Sequence, residues 1–351
     1  MQHAMELEPR GGSCAAEAPG KRDDGSLVSW YGPVDLGDRE TLHEWCATVG
    51  PVAIDSLPGE QFGVWRAVDS LAVVTWNVKV GGGDLLGFIE HELYLSCDEG
   101  EPAPGDGFSH FVLLLQEAHR RSEHVPKLPS SHSIPRRIVP DPRPGEHVDV
   151  VEAARRCGLS FIYLPSMRNG REEHGSKRED KGSAILSTLP LNDFIAIELP
   201  FEAQRRVAVA ATVQRPDGDG PRVLSLHLDV SSTLFRTFRT GNSTRVRQGL
   251  GLVDALRILE RTRPAPLATV VGGDFNTWSA SETVLQRLRE HFPESPAWDG
   301  KPTRGAFPTD HLLFRQAGAG RIELIDGSYR RVEDPYYSDH RARMGWFKLG
   351  G

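Results

Sequence analysis

What this chain lacks removes several classes of protein at once. No apolar run approaches the ~18 residues that a membrane span needs, which argues against a helical membrane protein and a membrane partner. Residues 1–25 are polar and rich in Gly, Ala and Glu, without the apolar centre of a signal peptide, so a cytoplasmic location is expected. Cysteine is scarce. Cys14, Cys46, Cys97 and Cys157 are scattered, no two at zinc-finger or redox spacing, and they read as reduced thiols. Excess positive charge is missing too: 41 Lys and Arg against 48 Asp and Glu leave a net charge of −7. The whole molecule therefore does not attract nucleic acid, and any polyanion must be held by local patches. Internal repeats and low-complexity tracts are absent, which excludes a solenoid, and no obligate protein partner is evident.

What is present is a set of short polar clusters, most of them ending an apolar run: Thr75-Trp76-Asn77-Val78, Gln116-Glu117, His227-Leu228-Asp229, Gly273-Asp274-Phe275-Asn276 and Ser338-Asp339-His340. A strand that stops on a carboxylate, amide or imidazole sets that group at a sheet edge. Several such edges can build one oxygen-rich pocket, suited to a hard divalent cation and a phosphate ester. Any cut between Asn77 and His340 would split the set. We therefore read residues 69–351 as one catalytic domain of roughly 280 residues, within the size of large β-rich single domains. Residues 1–68 form an extension. Its first 26 residues are small, charged and aperiodic, the composition of a disordered segment, and a helix follows Asp38 as N-cap, carrying Leu42, Trp45 and Cys46 inward.

Residues 71–78 and 111–115 are continuous apolar runs, the pattern of strands buried on both faces. Leu85, Leu86, Phe88, Ile89 and Leu93 have helical spacing between them, which predicts a parallel strand pair joined through a helix. Further strands are predicted at 161–164, 183–187, 311–314 and 346–349, and a hairpin pairs 206–213 with 222–229. Helices are predicted at 148–157 and 244–260, the second with Val246, Leu250, Val253 and Leu256 inward. A capping box of Ser279 and Glu282 should open another. Strands dominate the second half and helices punctuate the connections, so the expected fold is α+β: a four-layer α/β/β/α sandwich of two packed mixed sheets flanked by helices.

The chemistry is legible motif by motif. Glu117 closes five apolar residues and would offer a carboxylate to a magnesium ion, which takes one or two such groups. The ordinary alternative is a Glu paired with arginine. Gly272 and Gly273 let backbone approach a ligand closely. Asp274 and Asn276, two apart in extended chain, share a face, where a carboxylate can orient and deprotonate water while an amide holds a phosphoryl oxygen. An Asx-turn is the plain alternative. His227 suits a general acid or an imidazolium donor, against a satisfied core histidine, and Asp229 is placed to pair with it or reach a metal. Asp310 with His340 is a candidate dyad, the carboxylate fixing the imidazole's tautomer and favouring its charge.

Taken in order, these clusters resemble the signature of the endonuclease/exonuclease/phosphatase superfamily. Asn77 follows Thr-Trp, Gln116 precedes Glu117, Ser225-Leu226-His227-Leu228 carries the histidine, and Gly273-Asp274-Phe275-Asn276 follows. Asp310-His311-Leu312-Leu313 opens a strand, and Ser338-Asp339-His340 closes the set. Residues 182–187 resemble a further family strand, and the resemblance covers roughly residues 70–350. Departures are small: Ser225 stands where Asn or Thr is frequent, and Ser183 where Asn is. The resemblance implies an enzyme, a metal-dependent phosphoric ester hydrolase using Mg²⁺ or alternatively Mn²⁺. It implies Glu117 as principal metal ligand with help from Asn77, and Asp339 completing or sharing that shell. Asp274 would align the attacking water and Asn276 the phosphate. His340, oriented by Asp310, would touch the scissile phosphoryl oxygen, with His227 as acid or second donor.

The substrate is less defined. A basic stretch at 118–147 contains Arg120. Residues 231–248 carry Phe235, Arg236, Phe238, Arg239, Arg245 and Arg247 with no acid among them, and arginines alternating with aromatics grip phosphates and stack bases. Arg120, Arg236, Arg239 and Arg245 are thus the candidate substrate contacts, and DNA or RNA cleavage by in-line water attack is the leading expectation. The alternatives are a small phosphoester, phosphoinositide or phospholipid head group. A non-catalytic binding protein on this fold would show a broken ligand set, and this one is intact.

Overall fold

A computed structural model describes residues 10–11, 28–32, 36–56, 68–97, 109–127, 138–139, 141–170, 178–216, 218–230, 241–318 and 321–350. Most of the stretch expected to be disordered, 1–26, lies outside them.

The apolar runs become strands. β4 (Ser70–Asn77) and β5 (Phe111–Arg121) pair in parallel across helix α2 (Leu85–Leu93), which Asp84 caps by accepting from Gly87 N–H. Around them one sheet runs β13 (Ile322–Leu324), β15 (Arg343–Leu349), β4, β5, β7 (Glu179–Ser187), β6 (Ser160–Arg168) and β3 (Ala53–Asp55), with β14 (Arg330–Arg331) beside β15. The other runs β1 (Arg10–Gly11), β2 (Ser29–Tyr31), β8 (Leu191–Glu198), β9 (Val207–Arg215), β10 (Gly218–His227), β11 (Ala268–Asp274) and β12 (Asp310–Gln316). The expected hairpin is β9 with β10. The N-terminal stretch adds short strands to both sheets, β1 and β2 at the margin of one and β3 at the edge of the other. Helix α1 (Leu36–Cys46) begins ahead of Asp38, which lies in its first turn, and buries Leu42 and Trp45 as anticipated.

Three apolar clusters define four layers. Leu71, Val73, Val112, Leu114, Val270 and Leu312 fill the space between the sheets. Outside β4 and β5, α2 and α3 (Val150–Arg156) pack on Trp76 and Tyr163, α2 through its own Phe88. Outside β10 and β11, α4 (Gly241–Thr262) and α5 (Thr283–His291) bring Leu256 and Leu288 onto the Leu224 cluster. Each such side chain, taken from water, contributes about 1.5–3 kcal/mol. The sandwich is as expected. Among the described residues no helix is long and apolar enough to cross a membrane.

Four local expectations are corrected. Leu250 is 42% exposed; the buried face of α4 runs instead through Gln248, Leu252, Val253, Leu256 and Leu259. No capping box forms on α5: Glu282 is itself the N-cap and its carboxylate accepts from Trp278 N–H and pairs with Arg245. Gly272 and Gly273 serve packing rather than a ligand. A Cβ on Gly272 would lie 2.7 Å from Thr75 and Leu114 of the opposite sheet, and one on Gly273 would lie 2.0 Å from the Leu226 carbonyl oxygen. The thiols are not reduced: Cys97 and Cys157 form a disulfide, and among the described residues no cysteine is free. Sixty residues separate this pair, and only the packing of α2 beside α3 brings them together.

Candidate active site

The strand ends converge because of register. Parallel pairing sets Asn77 beside Gln116 and His227 beside Asp274, and antiparallel β12 sets Asp310 beside Asp274. Gln116 locks the sheets together, its amide donating to Ser225 Oγ at 3.0 Å while Ser225 Oγ donates to the Leu115 carbonyl at 2.8 Å. Across this seam Asn77 Nδ2 donates to Asp274 Oδ2 at 3.0 Å. Asn276 adopts φ 51° and donates its N–H to Asp274 Oδ1 at 2.9 Å. The Asx-turn alternative is thus real, and it is what holds the carboxylate in place. Asn276 Nδ2 also donates to the Leu228 carbonyl at 2.8 Å, leaving one amide hydrogen for a substrate oxygen.

Two histidines face Asp274 Oδ2, His227 Nε2 at 3.5 Å and His340 Nε2 at 3.6 Å. His340 Nδ1 donates to Asp310 Oδ2 at 2.8 Å, and Thr309 Oγ1 donates to the same oxygen at 2.8 Å. Burial opposes charge on His340, yet Asp310 and Asp274 carry its pKa up to about 9. Burial pushes the Asp310 carboxyl up, but the His340 ion together with hydrogen bonds from His340, Thr303 and Thr309 holds it low. Burial lifts Asp274 to about 6, with the His340 ion pulling the other way. His227 differs. Arg206 donates to its Nδ1 at 2.9 Å, and since a guanidinium only donates, Nε2 must carry the hydrogen. Burial, then Arg206, pushes His227 well below the ordinary histidine range. His227 is therefore a neutral donor at neutral pH, which corrects the imidazolium reading. Asp229 neither pairs with it nor stands open to a metal: it accepts from the N–H groups of Ala203 and Gln204 and sits 3.6 Å from Arg206.

Glu117 stands at φ 50° on an irregularity in β5, between Leu115 and Ala118. It lines a small half-open cavity with Lys181, Arg206 and His227. Among the described residues no hydrogen bond or ion pair holds its carboxylate, so the arginine-paired alternative does not apply. Glu117 directly follows the Gln116 that Asn77 pairs with in the sheet, and among the described residues Asn77 Oδ1 accepts from Lys79 N–H alone; a free carboxylate and an amide oxygen are donors that fit a hard divalent ion. Asp339 fits less well: it is 35% exposed and pairs with Arg304 at 3.0 Å. Asp274, Asp310 and His340 also offer ligand atoms within 4.8 Å of one another. In the metal-free fold His340 is protonated and bonded to Asp310 through Nδ1, so the trio stands there as a charge network, and a cation would have to displace the Nε2 proton to use it.

The substrate arginines fare worst. Arg120 is buried in a bidentate pair with Asp180 and also donates to the Pro51 carbonyl. Arg245 is buried against Glu282 at 2.6 Å. Neither can meet a phosphate, because each charge is already neutralised inside the fold. Arg236 and Arg239 lie outside the described residues. Sequence reasoning missed Arg206 and Lys181, which no motif flags. A lysine inside an otherwise buried strand, one residue before Gly182, was the available signal.

A model described as the endonuclease/exonuclease/phosphatase family matches residues 74–340. Among solved structures, an endonuclease/exonuclease/phosphatase from Beutenbergia cavernae aligns at TM-score 0.50 and 18% identity, over 81% of this chain and 72% of that one. The human Nocturnin catalytic domain with bound sulfate aligns at TM-score 0.48 and 14% identity, over 85% and 97%. A beta toxin from Staphylococcus aureus with bound magnesium ions aligns at TM-score 0.46 and 12% identity, over 79% and 99%. No curated protein matches the chain.

Proposed function

Because the chain belongs to the endonuclease/exonuclease/phosphatase family, and so to the metal-dependent phosphoric ester hydrolases, we propose that it is a Mg²⁺-dependent phosphodiesterase cleaving nucleic acid by in-line water attack on phosphorus. One observation carries this reading: a buried carboxylate, Asp274, is fixed by two amides between a charged and a neutral imidazole. Asp274 can hold and take a proton from water. His340 brings positive charge and Asn276 an N–H to phosphoryl oxygens, and such preorganised donors carry most of the rate in this chemistry. Glu117 and Asn77 would hold the metal, which when bound supplies charge stabilisation to the phosphoryl group.

Nucleic acid is favoured by the rim. Phe307, 45% exposed, packs on Trp278 with ring centroids 5.4 Å apart, and Arg304 bridges from Phe307 to His340 in the backbone. With Tyr337, 53% exposed beside Ser338, these rings offer faces on which bases stack. The second reading, a small phosphoester or lipid head group, gains from the loss of Arg120 and Arg245 as free cations. An activity panel with Mg²⁺ or EDTA on bis-p-nitrophenyl phosphate, single- and double-stranded DNA, RNA and inositol phosphates decides. Metal-dependent cleavage of DNA or RNA, lost in Asp274→Ala and Asn276→Ala, is expected. Intact nucleic acid beside a cleaved inositol phosphate would sink the nuclease reading.

A further inference from the structure

We infer that Lys181, with Arg206 and the His227 imidazole, forms a preformed seat for a single phosphoryl oxygen beside Glu117, a phosphate-binding element that adjoins the Asp274–His340 centre through His227. The inference rests on the phosphoester reading of the site. Lys181 is only 7% exposed, and among the described residues no hydrogen bond or ion pair reaches its ammonium. A buried unpaired cation is costly, so a fold that keeps one has a use for it. Its place is a cavity with room for about one water-sized group, which suits one oxygen of a phosphate whose body sits at the mouth. The walls are right for that oxygen. Arg206 adds a second buried cation whose Nε has no partner, and Ser166 and Ser183 line the same space. The position is set by β7, where antiparallel register puts Lys181 opposite His119 of β5 and Met167 of β6. Burial works against the lysine's charge and the Glu117 carboxylate, too distant for an ion pair, works for it; Arg206 shares Asp229 at 3.6 Å, so among the described residues Lys181 is the cation of the seat that has no paired counter-ion.

The test is binding of inorganic phosphate to the full-length protein in EDTA, by calorimetry, for wild type, Lys181→Gln and Lys181→Arg. Losing one charged hydrogen bond should weaken phosphate about ten- to hundred-fold in Lys181→Gln, with Lys181→Arg retaining most of the affinity. Thermal stability of Lys181→Gln should be unchanged or higher, since an unpaired buried charge has gone; a purely structural lysine would give the opposite. In wild type the ¹⁵N signal of the Lys181 ammonium should move during the titration with the same midpoint, a readout needing no variant. Unchanged affinity in Lys181→Gln, or a stationary Lys181 signal, overturns the inference. Turnover of bis-p-nitrophenyl phosphate separates the two claims: Lys181-dependent phosphate binding without turnover would fail the enzyme reading alone, and turnover with Lys181-independent binding would fail this one alone.

Discussion

His227 and His340 stand at nearly equal distances from the same oxygen of Asp274, 3.5 and 3.6 Å, yet they hold opposite charge states. What differs is the group behind each ring. Asp310 accepts from His340 Nδ1 and makes an imidazolium; Arg206 donates to His227 Nδ1 and makes a neutral Nε2–H tautomer. The partner of the far nitrogen, and not burial, decides, because both rings are almost fully buried. One site thereby keeps a charged and an uncharged donor on either side of one carboxylate, without the repulsion that two adjacent imidazolium ions would bring.

The largest break comes from removing what both rings face. Asp274→Asn should lower kcat about 10²–10⁴-fold, the worth of a general base, measured on a diester with folding checked by circular dichroism. Next, Asp310→Asn should cost about 10²-fold and move the alkaline limb of the rate profile from about 9 down toward the ordinary 6.5, while the acid limb still follows Asp274 near 6. An unmoved alkaline limb would mean that His340 is not the group titrating there. Stability should follow the same pair. His340 binds its proton up to about pH 9 folded and to 6.5 unfolded, so its contribution is complete below pH 6.5 and is lost as pH rises through 9. The melting temperature should fall across that window in wild type and stay flatter in Asp310→Asn.

Smaller effects sharpen the contrast. Arg206→Gln should reduce kcat about five-fold and let the His227 pKa rise, burial still holding it below the ordinary histidine range, with the change visible in its ¹⁵N shifts. If the tautomer and the titration of His227 are both unmoved in that variant, Arg206 is not what sets them. Smallest, Thr309→Val removes one donor to Asp310 and should slow turnover only a few-fold, within the reach of one hydrogen bond. The alkaline limb should not drop, since Asp310 loses a competitor for its charge and not the charge itself.

Legibility followed the kind of signal each residue leaves. Apolar runs at 71–78 and 111–115 gave the parallel pair, because a strand buried on both faces has no polar positions to hide it. Asp274, Asn276, Asp310 and His340 were readable because a polar group that ends such a run has to sit at a sheet edge. Arg120 and Arg245 misled for the converse reason: an arginine in a basic stretch looks solvated, and only three-dimensional proximity to Asp180 and Glu282 shows it spent in the core. Leu250 misled through helix phase, since a small rotation about the axis of α4 moves which stripe is buried.

By itself, the order of residues determined which strands would carry acids, amides and imidazoles to their ends, and that two sheets would pack with helices outside. Periodicity and chemical type are local properties, written along the chain. The charge on each histidine, the disulfide between Cys97 and Cys157, the crowding that requires Gly272 and Gly273, and the pairing of Arg206 and isolation of Lys181 were decided by tertiary structure alone. Each depends on which distant atom arrives within a few ångströms, and electrostatics and sterics act on that distance, not on separation along the sequence.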